Sequence, residues 1–187
     1  MAPKVKITKE EIVAAAIELV RQQGEVALNA RNIATALNCS TQPIFSNFSS
    51  MEELRMAVIA AADQLCNQYI KDEVESGVYP SYKASGMAYI RFAKEERELF
   101  KLLYMRDRSA EVVPKEMELG DEMKSLLHDN TGLTGAEAEF FHLEMWAFVH
   151  GIATMFATGF LNLDWELVSK MLTDAYLGVK TQFGMEC

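Results

Sequence analysis

Apolar residues recur at three- and four-residue spacing along the whole chain, and no stretch keeps the strict alternation of a half-buried strand. Near the start, Ile12, Ala16, Leu19 and Val20 form one helical stripe, opened by a Thr8–Glu11 capping box and stopped at Gly24. A short helix follows, capped by Asn29, with Ile33, Ala34 and Leu37 on one face. It turns at Asn38, a residue type that tolerates the left-handed backbone. Ser40 is expected to cap the next helix, whose Ile44 and Phe48 face inward and whose Thr41, Gln42, Phe45, Ser46 and Asn47 face outward. Ser50 and Glu53 predict another capping box, opening a helix to about Val74 with Leu54, Val58, Ala61, Leu65 and Tyr69 along one side.

The same period continues beyond Gly77 and Pro80. Ser81 opens a helix through Met87, Ile90 and Phe92, Lys94–Arg97 forms a polar corner, and a short helix carries Leu99, Leu103 and Tyr104. Arg106–Val113 reads as a loop. Pro114 suits the first position of a helix bearing Met117, Met123, Leu126 and Leu127 and ending near Gly132. Thr134 and Glu137 predict a capping box for a long apolar helix to about Phe160. Asp164 caps the last helix, with Trp165, Val168, Leu172, Ala175 and Val179 along it. The expectation is an all-α chain of about nine helices, with a head of residues 1–54 and a helical body of 55–187.

Two short helices joined by a tight turn make a helix-turn-helix, whose second helix enters the major groove of DNA. With its flanking capped helices, the segment resembles the DNA-binding domain of TetR-type transcriptional repressors. Ile12, Ala15, Gly24, Arg31, Ile33, Ala34, Leu37, Ser40, Phe48, Glu53 and Leu54 carry the likeness. On this reading DNA is met by Lys6, Asn29, Arg31, Ser40, Thr41, Gln42, Pro43, Phe45, Ser46 and Asn47. Several positions depart from the family pattern. Asn38 replaces the usual turn Gly, Phe45 a common Tyr, Asn47 a Tyr or His, and Met51 a phosphate-binding Lys, while Pro43 sits in the first turn of the recognition helix. Each change removes a polar contact, so the operator is either read more through shape and methyl groups or bound weakly. Further along, Trp146-Ala-Phe-Val-His150-Gly151, with Ala153, resembles the Trp…His-Gly signature of one TetR C-terminal subgroup. Tyr89–Ala93 and Leu99–Leu103 are similar to that subgroup's earlier segment.

The net charge of −9 opposes nucleic-acid binding, but its distribution matters. Residues 1–58 hold six basic side chains (Lys4, Lys6, Lys9, Arg21, Arg31, Arg55) against six acidic ones, so the body carries the whole deficit. Lys4 and Lys6 read equally well as an arm over the DNA backbone and as a solvated terminus. Cys39, Cys66 and Cys187 are odd in number and far apart, which suggests reduced thiols in a cytoplasmic protein. No secretory signal opens the chain. The apolar run Met145–Leu161 is interrupted by His150, Thr154 and Thr158 and reads as a buried helix, so no membrane is expected.

The family resemblance implies a homodimer through the last two helices. Ala147, Gly151 and Gly159, at multiples of four, give a small-residue stripe for close approach, with Val168, Leu172, Ala175 and Val179 on the partner helix; a core contact within one chain is the competing explanation. Eleven methionines and ten phenylalanines supply a deformable lining for a small apolar effector. The pocket candidates are Tyr89, Phe92, Leu103, Tyr104, Met123, Leu127, Phe140, Phe141, Glu144 and His150.

Enzymatic readings find less support. Glu139 and His142 have the spacing of a di-iron ligand pair, but no second pair exists, and His142, Trp146 and His150 read as a core or pocket face with partnered histidines. No phosphate loop, zinc-type cysteine pairing or nucleophile motif is present, and Lys94–Glu98 reads as a solvated face. No catalytic residue, metal or cofactor is expected. The function expected is a ligand-responsive repressor that leaves its operator when an effector binds; the alternative is a helical-bundle carrier or enzyme that touches no DNA.

Overall fold

The computed structural model describes residues 7–107 and 120–185. Among the described residues there are nine α-helices and no strand: α1 (Lys9–Gln23), α2 (Ala30–Ala36), α3 (Gln42–Asn47), α4 (Met51–Ser76), α5 (Ser81–Glu95), α6 (Arg97–Tyr104), α7 (Asp121–Thr131), α8 (Gly135–Thr158) and α9 (Trp165–Gln182). A 3-10 turn, Glu25–Ala27, joins α1 to α2. The expected all-α fold is what forms. Pro114 and Met117 lie outside the described residues.

The chain packs as two units. The first runs to Cys66 and takes in Glu96–Arg106; the second holds Asn67–Glu95 and the chain from Asp107 onward.

In the first unit, α1 buries Ile12, Ala16 and Val20, as its stripe predicts. The Thr8–Glu11 capping box forms in both directions, at 2.8 and 3.2 Å. Gly24 ends the helix at φ 77, a conformation that costs a residue without a Cβ nothing. On α4 the buried line is Leu54, Val58, Ala62 and Cys66. Ala61 and Leu65, expected on that line, are half-buried: the core side of α4 keeps a strict four-residue step, whereas the expected line shifted by three residues after Val58. From the other side α6 packs on α1, burying Leu99, Phe100, Leu102 and Leu103. Arg21 of α1 donates twice to the Glu96 carboxylate at the head of α6, each bond 2.8 Å long.

In the second unit α5 is the central element. Tyr82, Ala84, Ser85, Met87, Ala88, Tyr89, Ile90, Phe92 and Ala93 are all buried, and α7, α8 and α9 all pack against it. Close approach is possible because small residues interrupt the large ones. A Cβ built on Gly86 would lie 3.1 Å from Leu172 Cδ2 of α9 and 3.4 Å from Val149 Cγ2 of α8. Two hydrogen bonds stitch α5 to α8: Tyr82 hydroxyl to His142 Nδ1 at 3.1 Å, and Tyr89 hydroxyl to His150 Nδ1 at 2.9 Å. The Trp146 ring stacks on His150 at 4.7 Å. Thr134 and Asp164 take the N-cap positions of α8 and α9, but neither side chain makes a capping bond, so the Thr134–Glu137 box does not form.

Burial lowers the pKa of both His142 and His150 from the ordinary histidine value of 6.5. At neutral pH the folded state therefore holds them neutral, each with its Nδ1 within hydrogen-bond distance of a tyrosine hydroxyl. Their contribution to stability is complete above the unfolded pKa and is lost as the pH falls below 6.5 and through the folded value. Urea unfolding of the wild type should thus show stability declining as the pH falls below 6.5, and a His142→Gln/His150→Gln variant should lose most of that decline. An identical pH slope in the double variant would place the proton uptake elsewhere. Gly86→Val should lower stability by ~1–3 kcal/mol through overpacking, measured by the same titrations at pH 7; unchanged stability would mean that α8 and α9 yield without cost.

Candidate functional site

The helix-turn-helix forms where the sequence places it, with one change of cap. The Asn29 side chain accepts the Asn32 N–H at 3.0 Å and caps α2. Asn38 has φ 49, the one positive value on a residue other than glycine among the described residues. α3 starts at Gln42, and its N-cap is Thr41 instead of Ser40, with no side-chain capping bond. Pro43 removes one of the two N–H groups that a cap could reach, and Thr41 is itself helical at φ −70 and ψ −11, not extended as a capping residue is. Ile44 and Phe48 are buried as expected, whereas Phe45 is 54% exposed.

The outward residues of α3 fall into two groups. Gln42 and Phe45 are exposed, and neither forms a side-chain hydrogen bond or ion pair. Ser46 and Asn47 work within the protein. Ser46 Oγ donates to the Gln42 carbonyl at 2.8 Å. Asn47 Nδ2 donates to the Pro43 carbonyl at 2.8 Å and to the Ile7 carbonyl at 3.2 Å, tying the end of α3 to the residue that leads into α1. Ser40 and Arg31 are exposed, Thr41 and Pro43 are half-exposed, and Lys6 lies outside the described residues.

A carboxylate network fixes the junction after α3. The Glu53 N–H donates to Ser50 Oγ at 3.1 Å, the forward half of the expected box. Its carboxylate reaches one residue further back than expected and accepts the Ser49 N–H and hydroxyl, each at 2.7 Å. Ser49's hydroxyl and N–H, together with Lys9, hold the Glu53 carboxyl down to about 2. Lys9 sits 3.2 Å from Glu53 and 4.9 Å above the Phe48 ring. Cys66, buried beside the Tyr104 hydroxyl, is pushed up to about 12 by burial, so its thiol stays protonated and unreactive.

The proposed pocket residues do not gather in one place. Leu103 and Tyr104 belong to the first unit, while Phe140 is exposed on α8. Leu127 and Phe141 are core residues in a cluster with Tyr82 and Met145, against which Met123 packs. Tyr89 and Phe92 are buried on α5, and His150 is tied to Tyr89. Glu144 Oε2 is buried without a hydrogen-bond partner.

A cavity of about 350 Å3 in the second unit is lined by a different set: Tyr69, Asp72, Glu73, Ser76, Arg91 and Glu95. Its signal in the sequence was the three- and four-residue spacing of polar groups on α4 and α5, which reads equally as a solvated face. Arg91 closes on the buried Glu73 at 2.6 Å and lies 5.3 Å over the Trp165 ring. No group of three or more potential metal ligands occurs among the described residues, and no helix there is long and apolar enough to cross a membrane.

The stripe expected to form an interface divides. Val168 and Leu172 point into the chain's own core, because α9 must cover α5 with that face. Ala175 and Val179 pack on the Tyr82–Phe141 cluster. Gly159 is the C-cap of α8. Ala147 is exposed, and a Cβ on Gly151 would meet nothing within 4 Å. The open faces of α8 and α9 also carry Phe140, Leu143, Phe148, Leu167 and Leu177, all exposed large apolar residues.

Residues 82–175 match the model of the tetracyclin repressor-like C-terminal domain family. No curated protein matches the chain. Two solved structures share its fold. One is a TetR-like transcriptional regulator from Rhodococcus sp. RHA1, 15% identical, with a TM-score of 0.66 over 95% of this chain and 97% of that one. The other is a TetR family member from Streptomyces coelicolor A3, 16% identical, with a TM-score of 0.63 over 89% of this chain and 96% of that one. At these identities the structures speak for the fold alone. The family match spans half the chain, and the chain therefore belongs to the TetR-like family of transcriptional regulators.

Proposed function

We propose that the chain is a cytoplasmic, homodimeric DNA-binding repressor that leaves its operator when a small apolar effector binds the second unit. The observation that carries the reading is α3, a helix anchored from beneath by Ile44 and Phe48 with Gln42 and Phe45 presented to the outside. A carrier or enzyme would have no use for such a platform. Gln42 can make two hydrogen bonds to one adenine in the major groove, and Pro43 offers carbon to a thymine methyl. Arg31 is the phosphate contact.

A second copy of the chain covers the open face of α8 and α9, where Ala147 and Gly151 lie among Phe140, Leu143, Phe148, Leu167 and Leu177. Val168 and Leu172 stay inside each protomer. Two recognition helices held by one dimer would then read half-sites about one helical turn of DNA apart. The effector acts by population shift, favouring a spacing of the recognition helices that no longer matches successive grooves. Its binding is assigned to the interior around Tyr89, Phe92, Met123, Leu127, Phe141 and His150. The buried oxygen of Glu144 is an acceptor that an N–H or O–H of an effector could satisfy.

A gel shift with DNA from upstream of the chain's own coding sequence, against scrambled DNA, tests the reading; equal binding to both would refute it. Gln42→Ala should relax preference at one base pair of each half-site by ~1–3 kcal/mol and leave the salt dependence unchanged. Equal weakening for every sequence would move Gln42 to the phosphate contacts. A Cβ at position 151 meets nothing within 4 Å among the described residues, so Gly151→Leu should weaken the dimer by ~1–3 kcal/mol, read by sedimentation. An unaltered dimer would remove Gly151 from the interface.

A further inference from the structure

The basic side chains of the head are mostly committed to carboxylates of the head itself. Four lie among the described residues up to the start of α4: Lys9, Arg21, Arg31 and Arg55. Lys9 pairs with Glu53 at 3.2 Å. Arg21 pairs with Glu96 at 2.8 Å and with Glu18 at 3.5 Å. Arg55 pairs with Glu25 at 2.6 Å and with Glu52 at 3.8 Å. Arg31, exposed like Lys9 and Arg21, is the one of the four with no carboxylate beside it among the described residues.

Exposed pairs of this kind are weak and can open, but opening them does not release net charge. A cation that swings to a phosphate leaves its carboxylate uncompensated next to the same phosphate. Glu53 cannot retreat, because Ser49 holds it by two bonds of 2.7 Å. Meanwhile α3 contains no charged residue at all: its sequence is Gln-Pro-Ile-Phe-Ser-Asn.

Resting on the DNA-binding reading above, we infer that the folded head grips its operator almost entirely through neutral contacts, with one phosphate-neutralising cation, Arg31, per half-site. The ligand is thus a duplex recognised by hydrogen bonds and carbon contacts at base edges. Binding to it depends only shallowly on salt, and non-operator DNA is held very weakly, because non-specific affinity comes from counterion release. Electrostatic steering toward DNA is likewise absent in a chain of net charge −9.

The test uses the full chain with Lys4→Ala and Lys6→Ala, which removes the basic residues ahead of α1. An operator is first selected from a random duplex library. Its affinity is then measured by fluorescence anisotropy between 50 and 200 mM salt. Each neutralised phosphate contributes about −0.9 to the slope of log affinity against log salt, so two Arg31 side chains per dimer predict a slope of about −2, a roughly tenfold loss across that range. Adding Arg31→Ala should bring the slope close to zero. A slope of about −3.5 or steeper would mean at least one more cation per half-site and would overturn the inference, as would a slope that Arg31→Ala leaves unchanged. If no duplex is enriched at any salt concentration, the DNA-binding reading itself fails and the inference falls with it.

Discussion

The second unit depends on α5 being buried over most of its surface. A helix covered so widely can be packed only if its neighbours come close and its buried polar groups find partners inside. The sequence of α5 meets both demands. Ala84, Gly86 and Ala88 let α8 and α9 approach, down to the 3.1 Å that separates a Gly86 Cβ from Leu172. Its two buried tyrosine hydroxyls are met by histidines of α8 at matching heights: Tyr82 and Tyr89 are seven residues apart, and His142 and His150 are eight apart. Two helical turns separate each pair, so one register satisfies both bonds, and both partners advance along the chain together, which makes α5 and α8 parallel. Slipping that register by a turn would leave the hydroxyls and imidazoles unpaired in the interior, which costs more than the bonds themselves contribute.

This register decides which faces remain for function. With His142 and His150 turned toward α5, the opposite side of α8 is left with Phe140, Leu143, Ala147 and Phe148 uncovered. In the same way α9 commits Val168 and Leu172 inward and leaves Leu167 and Leu177 outside. A helix that is apolar nearly all round therefore serves α5, α7 and α9 in its own chain and, on the proposed reading, a second copy of the chain. The histidines take part in the same arrangement, since each is tied to a tyrosine of α5.

The legible part of the sequence was whatever depends on local spacing. The Thr8–Glu11 box, the Asn29 cap, the left-handed Asn38, the inward Ile44 and Phe48 and the order of the helices all follow from residues within a few positions of one another. What periodicity could not give was the choice between two apolar faces of the same helix. Val168 and Leu172 look as suitable for a dimer as for a core, and only the position of Gly86, some 80 residues away in sequence, decides. Ala61 against Ala62 and Leu65 against Cys66 on α4 are the same ambiguity on a smaller scale. Leu103 and Tyr104 were read as pocket residues because they are apolar and follow a corner, but α6 turns back to pack on α1. The cavity lined by Tyr69, Glu73 and Arg91 was hidden for a further reason: charged residues three and four apart also describe an ordinary wet surface.

Helix α3 has only six residues, too few to be stable on its own, so its position must be set by what lies beneath and behind it. Ile44 and Phe48 fix it from below. Asn47 fixes it from behind, by a bond to the Ile7 carbonyl just ahead of α1, while the Lys9–Glu53–Ser49 network closes the junction to α4. The side chains that would be free to search for phosphate in a more basic head are spent here on holding the platform in place. On the proposed reading that exchange is consistent with the chemistry left outside. Base-edge contacts by a glutamine and carbon contacts by a proline and a phenylalanine are short in range and strict in direction, and they are useful only if the helix that presents them does not move. A rigid neutral platform on an acidic chain gives up long-range attraction to DNA and keeps discrimination at contact.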